Sequence, residues 1–197
     1  EAIRTTARSH HRVMVVEIMG HKVGWLGLYA GLAANADAIL LPEIPYDIKK
    51  LGKDIKAKVQ GGQDYAIIAC SEGAINLEEA KLGKKEFKKA RESMTQSVGF
   101  RVAKELEAET GIETRTSVLG YIQRGGNPKP YDIILATTIG AAAADFLADK
   151  QFGKLVAMKG GKVVGVPLTT VAGVVKPIPA DDPVLQTARD LGISFGD

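Results

Sequence analysis

Four short apolar runs alternate with longer stretches of helical period, and this alternation constrains the chain more than any other feature. HRVMVVEIM (11–19), DAILLPEIP (37–45), DYAIIACSEG (64–73) and ETRTSVLGYIQRGG (113–126) read as strands, the first apolar after Arg12 but for Glu17, as expected of a strand buried on both faces. Between them VGWLGLYAGLAAN spaces Trp25, Leu28, Tyr29 and Leu32 at helical intervals and ends at Asn35 and Asp37. DIKKLGKDIKAKVQGG turns Ile48, Leu51, Ile55 and Val59 to one side, with Gly61 as its cap, and a Lys/Glu-rich excursion leads into the helix SVGFRVAKELEAETG. Strand and helix in alternation give parallel βαβ units and an α/β fold with helices on both faces of one sheet.

The last third departs from that rhythm. Gly125, Gly126, Pro128 and Pro130 break the chain before YDIILATTIGAAAADFLADK, a helix rich in small residues. GKLVAMKGGKVVGVPLTTV then reads as a hairpin turning at Gly160 and Gly161, and DPVLQTARDLGI as a closing helix. The expected organisation is a lobe over 1–126, a segment over 127–175 that returns to a different lobe, and a C-terminal tail and helix over 176–197. The opening EAIRTTARSHHR resembles the middle of a helix, which suggests a fragment.

Composition excludes several classes. A net charge of +3 with no dense basic block, five Phe, five Tyr and one Trp argue against nucleic acid as a partner. Cys70 stands alone in an apolar run, so there is neither a disulfide framework nor a cysteine metal site, and the chain reads as cytoplasmic. His10 and His11 are adjacent and point apart on an extended chain, a poor start for a metal site. No stretch is read as long enough to span a bilayer, and no membrane partner is expected.

In an open α/β sheet, ligands bind outside the carboxyl ends of the strands. Met19, Gly20 and His21 follow the first strand, Glu72 the third, and Tyr121, Gln123 and Arg124 the fourth. A carboxylate in that place accepts sugar hydroxyls. Arg12, Arg115 and Arg124 carry the planar donor fork that grips phosphate, although pairing with carboxylates is the commoner use of arginine. From these residues alone the expectation is a sugar-phosphate or anion site.

The combination SHHRVMVVEIMGHKVGWLGLYAG, ADAILLPEIPYDI and ETRTSVLGYIQRGGNPKPYDIILATTIGAAAADFL resembles the C-terminal half of 6-phosphofructokinase, in family order over nearly the whole chain. GWLGLYAG and FGKLVAMKGGKVVGVPL look most like the bacterial branch using ATP or pyrophosphate. The resemblance implies glycolytic transfer of a phosphoryl group, with Mg2+, from ATP or pyrophosphate to the 1-hydroxyl of fructose 6-phosphate. It implies that Arg124 and Tyr121 meet the 6-phosphate, that Glu72, Met19 and Gly20 hold the sugar, and that Arg12 and Arg115 reach a neighbouring subunit's site in a homodimer or homotetramer. The helix after Tyr131 and the hairpin are then parts of the missing N-terminal lobe, which also carries the donor loop, catalytic base and magnesium ligands, so the isolated chain is expected to be inactive. Two positions depart from the family: His21 stands where an arginine approaches the transferring group, a catalytic position, and Tyr121 where a histidine is usual. The His21 change keeps a non-catalytic sugar-phosphate-binding or regulatory subunit in view, and a plain interaction scaffold whose phosphate-like arginines are all salt-bridged is the second rival.

Overall fold

A computed structural model describes residues 2–197; Glu1, where the sequence reading begins its first lobe, lies outside the described residues. In chain order the elements are α1 (Ala2–His10), β1 (Val13–Ile18), α2 (Trp25–Ala33), β2 (Ala38–Leu40), α3 (Ile48–Lys58), β3 (Ala66–Ser71), α4 (Leu77–Ala80), α5 (Lys84–Glu92), α6 (Val98–Thr110), β4 (Thr114–Val118), α7 (Pro130–Ala148), β5 (Lys154–Lys159), β6 (Lys162–Pro167), α8 (Leu168–Val171) and α9 (Pro183–Asp190). The chain divides into two compact units, residues 1–123 with 176–197, and residues 124–175.

The larger unit is built on a parallel sheet of order β2-β3-β1-β4. Successive side chains on a strand face opposite ways, so each strand feeds two cores. Val13, Val15, Leu40, Ile68 and Cys70 meet Leu51 and Ile55 of α3 and Val102 and Leu106 of α6. Val16, Ile18, Ile39, Ile67 and Ala69 meet Leu28 of α2, Ala7 of α1 and Leu185 and Ala188 of α9. Helices therefore cover both faces, the three-layer arrangement that near-continuous apolar strands require. On the outer side of β2 the tail adds a further bridge: Ser194 donates to the Asp37 carbonyl at 3.1 Å and accepts from Ile39 at 2.8 Å, with Phe195 buried below.

Several local expectations are corrected. β4 ends at Val118, and Gly120–Arg124 is a 3-10 turn rather than the end of a strand. The reason lies in the register: Glu17 pairs with Val118, so β1 has little left to offer as a partner, and Gly120 takes φ +51. β2 is only three residues long and stops before Pro42. After α3 the chain passes through a wide turn over Val59–Gln63, and the left-handed residues are Gly62 and Asp64 rather than Gly61. Tyr29 lies outward on α2, 53% exposed.

The smaller unit pairs β5 and β6 antiparallel, Lys159 opposite Lys162. Its turn uses Gly160 and Gly161 at φ 55 and 76, the two positive values a tight hairpin needs. Phe146 of α7 lies against Gly165, whose missing side chain makes room for the ring. The apolar helix α7 has no buried residue within the unit, and Ile133, Ile134 and Leu147 are exposed. By length and composition alone its nineteen residues could cross a membrane, contrary to the reading that no stretch is long enough. Ile133, Ile134, Leu135 and Ile139 raise the hydropathy together with the run of Ala at 141–144, whose small side chains make the stretch inconspicuous.

Candidate functional site

Three strand ends meet at the carboxyl edge of the larger unit. After β3 the backbone N–H of Glu72 still donates to Ile18 at 2.9 Å, so Glu72 stands beside the exit of β1. Its carboxylate turns back to accept the N–H groups of Gly20, at 3.2 Å, and His21, at 2.5 Å. Gly73 permits this approach: a Cβ there would lie 2.1 Å from the His21 carbonyl oxygen. The backbone of His21 is left-handed, φ 54, and its side chain is exposed. On the other flank, Gln123 accepts from Met19 N–H at 3.3 Å and donates to the Gly120 carbonyl at 3.1 Å, so the 3-10 turn is tied to the same loop.

These contacts enclose a hollow of about 140 Å³ lined by Glu17, Met19, Glu72, Val118, Gly120 and Tyr121. Met19, Gly20, His21, Glu72 and Tyr121 are thus neighbours. Arg124 closes the 3-10 turn, is exposed, and is the first residue of the smaller unit.

Arg12 and Arg115 are elsewhere. Arg12 precedes β1 and Arg115 is the second residue of β4, both at the amino end of the strands. At ~3.3 Å per residue, Arg12 is about 23 Å along the strand from Met19. Register places Val13 opposite Thr114, which brings both arginines to Glu113. Arg12 Nε lies 2.8 Å from Glu113 Oε2, Arg115 is also paired with Glu113, and Glu107 stands 3.8 Å from Arg115. Arg115 borders a more voluminous hollow, an open groove of about 550 Å³ between α6 and the edge strand β4. That groove holds none of the strand-end residues, and its size alone does not make it the site.

Sequence reading missed four residues near the carboxyl edge. Glu17 is 7% exposed, accepts the N–H of Gly99 at 2.6 Å, and floors the hollow beside Glu72. Its signal was present: a carboxylate within VMVVEI has no place in a strand buried on both faces unless it serves something. Glu79, which is buried, and the half-buried Arg91 and Arg101 form an ionic cluster that fastens the 77–92 excursion to α6. Arg101 donates to both Glu79 oxygens, at 2.6 and 2.8 Å, and Arg91 Nε lies 3.0 Å from Glu79 Oε1. Tyr46, fully buried, lies 3.3 Å from Arg101 Nη2 and donates to Glu105 at 3.2 Å.

Burial raises the pKa of Glu79, but the Arg101 hydrogen bond and charge, with help from Asn76 and Arg91, more than reverse it, and its carboxyl sits below the ordinary range. Glu105 goes the other way, because its burial outweighs Arg101 and Tyr46. Burial also pushes the Tyr46 hydroxyl and the Cys70 thiol up, so neither ionises near neutral pH, and lowers Arg91. Among the described residues no three His, Cys, Asp or Glu side chains converge as metal ligands.

A parallel sheet with helices on both faces and a hollow outside its carboxyl edge defines the class as an open α/β protein, a class in which ligands bind at that edge. Its lineage is specific: the family model for phosphofructokinase matches residues 1–147, and the chain belongs to the phosphofructokinase family. Across its full length it is 46% identical to the ATP-dependent 6-phosphofructokinase of Spirochaeta thermophila and 43% to ATP-dependent 6-phosphofructokinase 3 of Bacteroides thetaiotaomicron, covering 54% of each. The chain therefore spans about half the length of these relatives. Among solved structures, the phosphofructokinase from Saccharomyces cerevisiae matches at TM-score 0.69 and 28% identity, over 100% of this chain and 25% of that one. The pyrophosphate-dependent phosphofructokinase from Nitrosospira multiformis matches at TM-score 0.73 over 100% and 52%; at 22% identity it speaks for the fold alone.

Proposed function

We propose that this chain supplies the acceptor half of a cytoplasmic 6-phosphofructokinase: it holds fructose 6-phosphate while the 1-hydroxyl receives a phosphoryl group from ATP or pyrophosphate. The observation that carries the reading is the meeting of Met19, Glu72 and Tyr121, from three separate strand ends, around one hollow. Glu72, already holding the Met19–His21 loop by two backbone N–H groups, accepts sugar hydroxyls with its remaining lone pairs. Met19 and Gly20 wall the sugar, and Tyr121 and Arg124 donate to its 6-phosphate. His21 stands nearest the transferring group, where a neutral imidazole gives less charge to the transition state than a guanidinium.

Arg12 and Arg115 serve a different copy. Their distance along the strands from Met19 keeps them from the same ligand within one chain, which supports a shared site in a homodimer or homotetramer. A phosphate reaching them competes with Glu113 for both guanidinium groups. In this reading the metal, the donor and the base are held by residues outside this chain. The 124–175 unit, with its uncovered α7, completes the lobe that carries them.

Reaction needs both substrates positioned together, so the isolated chain binds fructose 6-phosphate without turning it over. Titration followed by amide NMR should move the signals of Met19, Gly20 and Glu72, while a coupled assay detects no fructose 1,6-bisphosphate. Unmoved signals at all three would remove the sugar-site reading, and product formation would remove the half-site reading.

A further inference from the structure

A second hollow, of about 370 Å³, shares Glu17 and Glu72 with the first and is otherwise bordered by His21, Arg91, Met94, Gln96, Ser97 and Val98. Small-molecule pockets run to roughly 300–1,000 Å³. The first hollow by itself falls short of that range, and the two together fall inside it.

The polar groups of the second hollow are left incomplete by the protein. Ser97 precedes α6 in the N-cap place, yet its side chain makes no cap hydrogen bond and its Oγ is buried without a partner. Arg91 Nε is buried beside Glu79 at ion-pair distance but not aligned as a hydrogen bond. The rest of that guanidinium is already fixed: Nη2 donates to the Ala74 carbonyl at 2.5 Å and to Glu79 at 3.2 Å, and the group sits 5.1 Å over the Phe87 ring. Glu17 commits Oε2 to Gly99 N–H and has further lone pairs to offer. Buried polar groups are almost always paired, and unpaired ones beside a cavity point to something that enters it.

Charge says what enters. Two carboxylates face one guanidinium, so an anion meets net repulsion, whereas a polyol satisfies both kinds of group at once: its hydroxyl hydrogens go to Glu17 and Glu72, its oxygens take protons from Arg91 and Ser97. We propose that the sugar pocket continues past Glu72 into this second hollow, and that Glu17, Arg91 and Ser97 bind hydroxyl groups of the substrate. The inference rests on the sugar-site reading above and adds three binding residues to it. Ser97 reaches the hollow by rotation about its one side-chain torsion, and Arg91 offers Nη1, the nitrogen not engaged by Ala74 or Glu79.

The test is a titration of this chain with fructose 6-phosphate, with inorganic phosphate as a second probe, followed by amide NMR. Fructose 6-phosphate should shift Gly20 and Glu72 together with the 96–99 segment, and Ser97→Ala should weaken binding about 2- to 10-fold, the loss of one hydrogen bond. Since Ser97 caps nothing, that variant should fold as the parent does. Arg91→Lys, which keeps the charge and loses the fork, should weaken binding as well. Shifts at Gly20 and Glu72 with 96–99 unmoved, or unchanged affinity in Ser97→Ala, overturn the inference and leave the sugar-site reading standing. Shifts of 96–99 with inorganic phosphate alone overturn it in favour of an anion site. No shift at any of these residues defeats both.

Discussion

Replacing Glu79 by alanine should loosen the wall of the second hollow, and the size of the effect can be worked from the contacts. Glu79 is 9% exposed and is the carboxylate that meets both Arg101 and Arg91. It also closes a capping box, accepting from Asn76 N–H at 3.2 Å while Asn76 caps its own N–H at 2.8 Å. Removing one partner of a buried pair costs about 3–5 kcal/mol because the remaining charge stays buried and uncompensated. Here two guanidinium groups are left facing each other. For a unit of this size the loss should lower Tm by roughly 6–20 °C. Urea unfolding followed by fluorescence of Trp25, the single tryptophan and a residue of the larger unit, measures it. The pH profile supplies a second reading. The folded-state pKa of Glu79 lies below its unfolded value of about 4.3, so its contribution is present above that pH and is lost as pH falls through the folded value. The gap between parent and variant should therefore be flat near neutrality and close in acid. A cost below about 1 kcal/mol at pH 7 would refute the reasoning, since it would mean that the arginines find other partners when Glu79 leaves.

Two more expectations concern neighbouring groups. Glu105→Gln keeps an acceptor for the Tyr46 hydroxyl and removes a charge whose pKa burial has raised. The stability contribution of such a group is present below its unfolded pKa and lost as pH rises through the folded one, so the variant should gain on the parent from about pH 4 upward and match it below; a variant less stable at pH 7 would contradict this. Gly73→Ala should cost about 1–3 kcal/mol through the contact with the His21 carbonyl and move the Gly20 and His21 amide signals, and an unchanged spectrum would show that the loop gives way freely.

The sheet was legible because its signal is local. β1, β2 and β3 are runs rich in apolar residues that can be recognised without knowing their neighbours, and the hairpin announces itself by Gly160 and Gly161. What the sequence could not show is pairing. β4 stops at Val118 because of where β1 ends, and TRTSVLGYIQ contains no mark of that boundary. The tail bridge at Ser194 depends on an exposed edge of β2 that only the strand order reveals.

The site divides in the same way. The strand-end rule led to Glu72, Met19 and Tyr121, because topology places them whatever the side chains do. Arg12, Arg115 and Arg124 have the same chemistry on paper, and position is what separates them. Register sends the first two to Glu113 at the amino end, and a short turn after β4 carries the third to the smaller unit. The ionic cluster was hidden for a further reason: Glu79 meets Arg91 and Arg101 across 12 and 22 residues, and Tyr46 meets Glu105 across 59. In the sequence those charges look like the solvated face of a Lys/Glu-rich excursion. Burial changes their meaning, since a charge in water is worth little to its neighbour whereas a buried one must be answered. The excursion is thereby held against α6 and contributes Arg91 to the border of the second hollow, and Ser97, directly before α6, borders the same hollow, a place that its identity as a serine before a helix does not suggest.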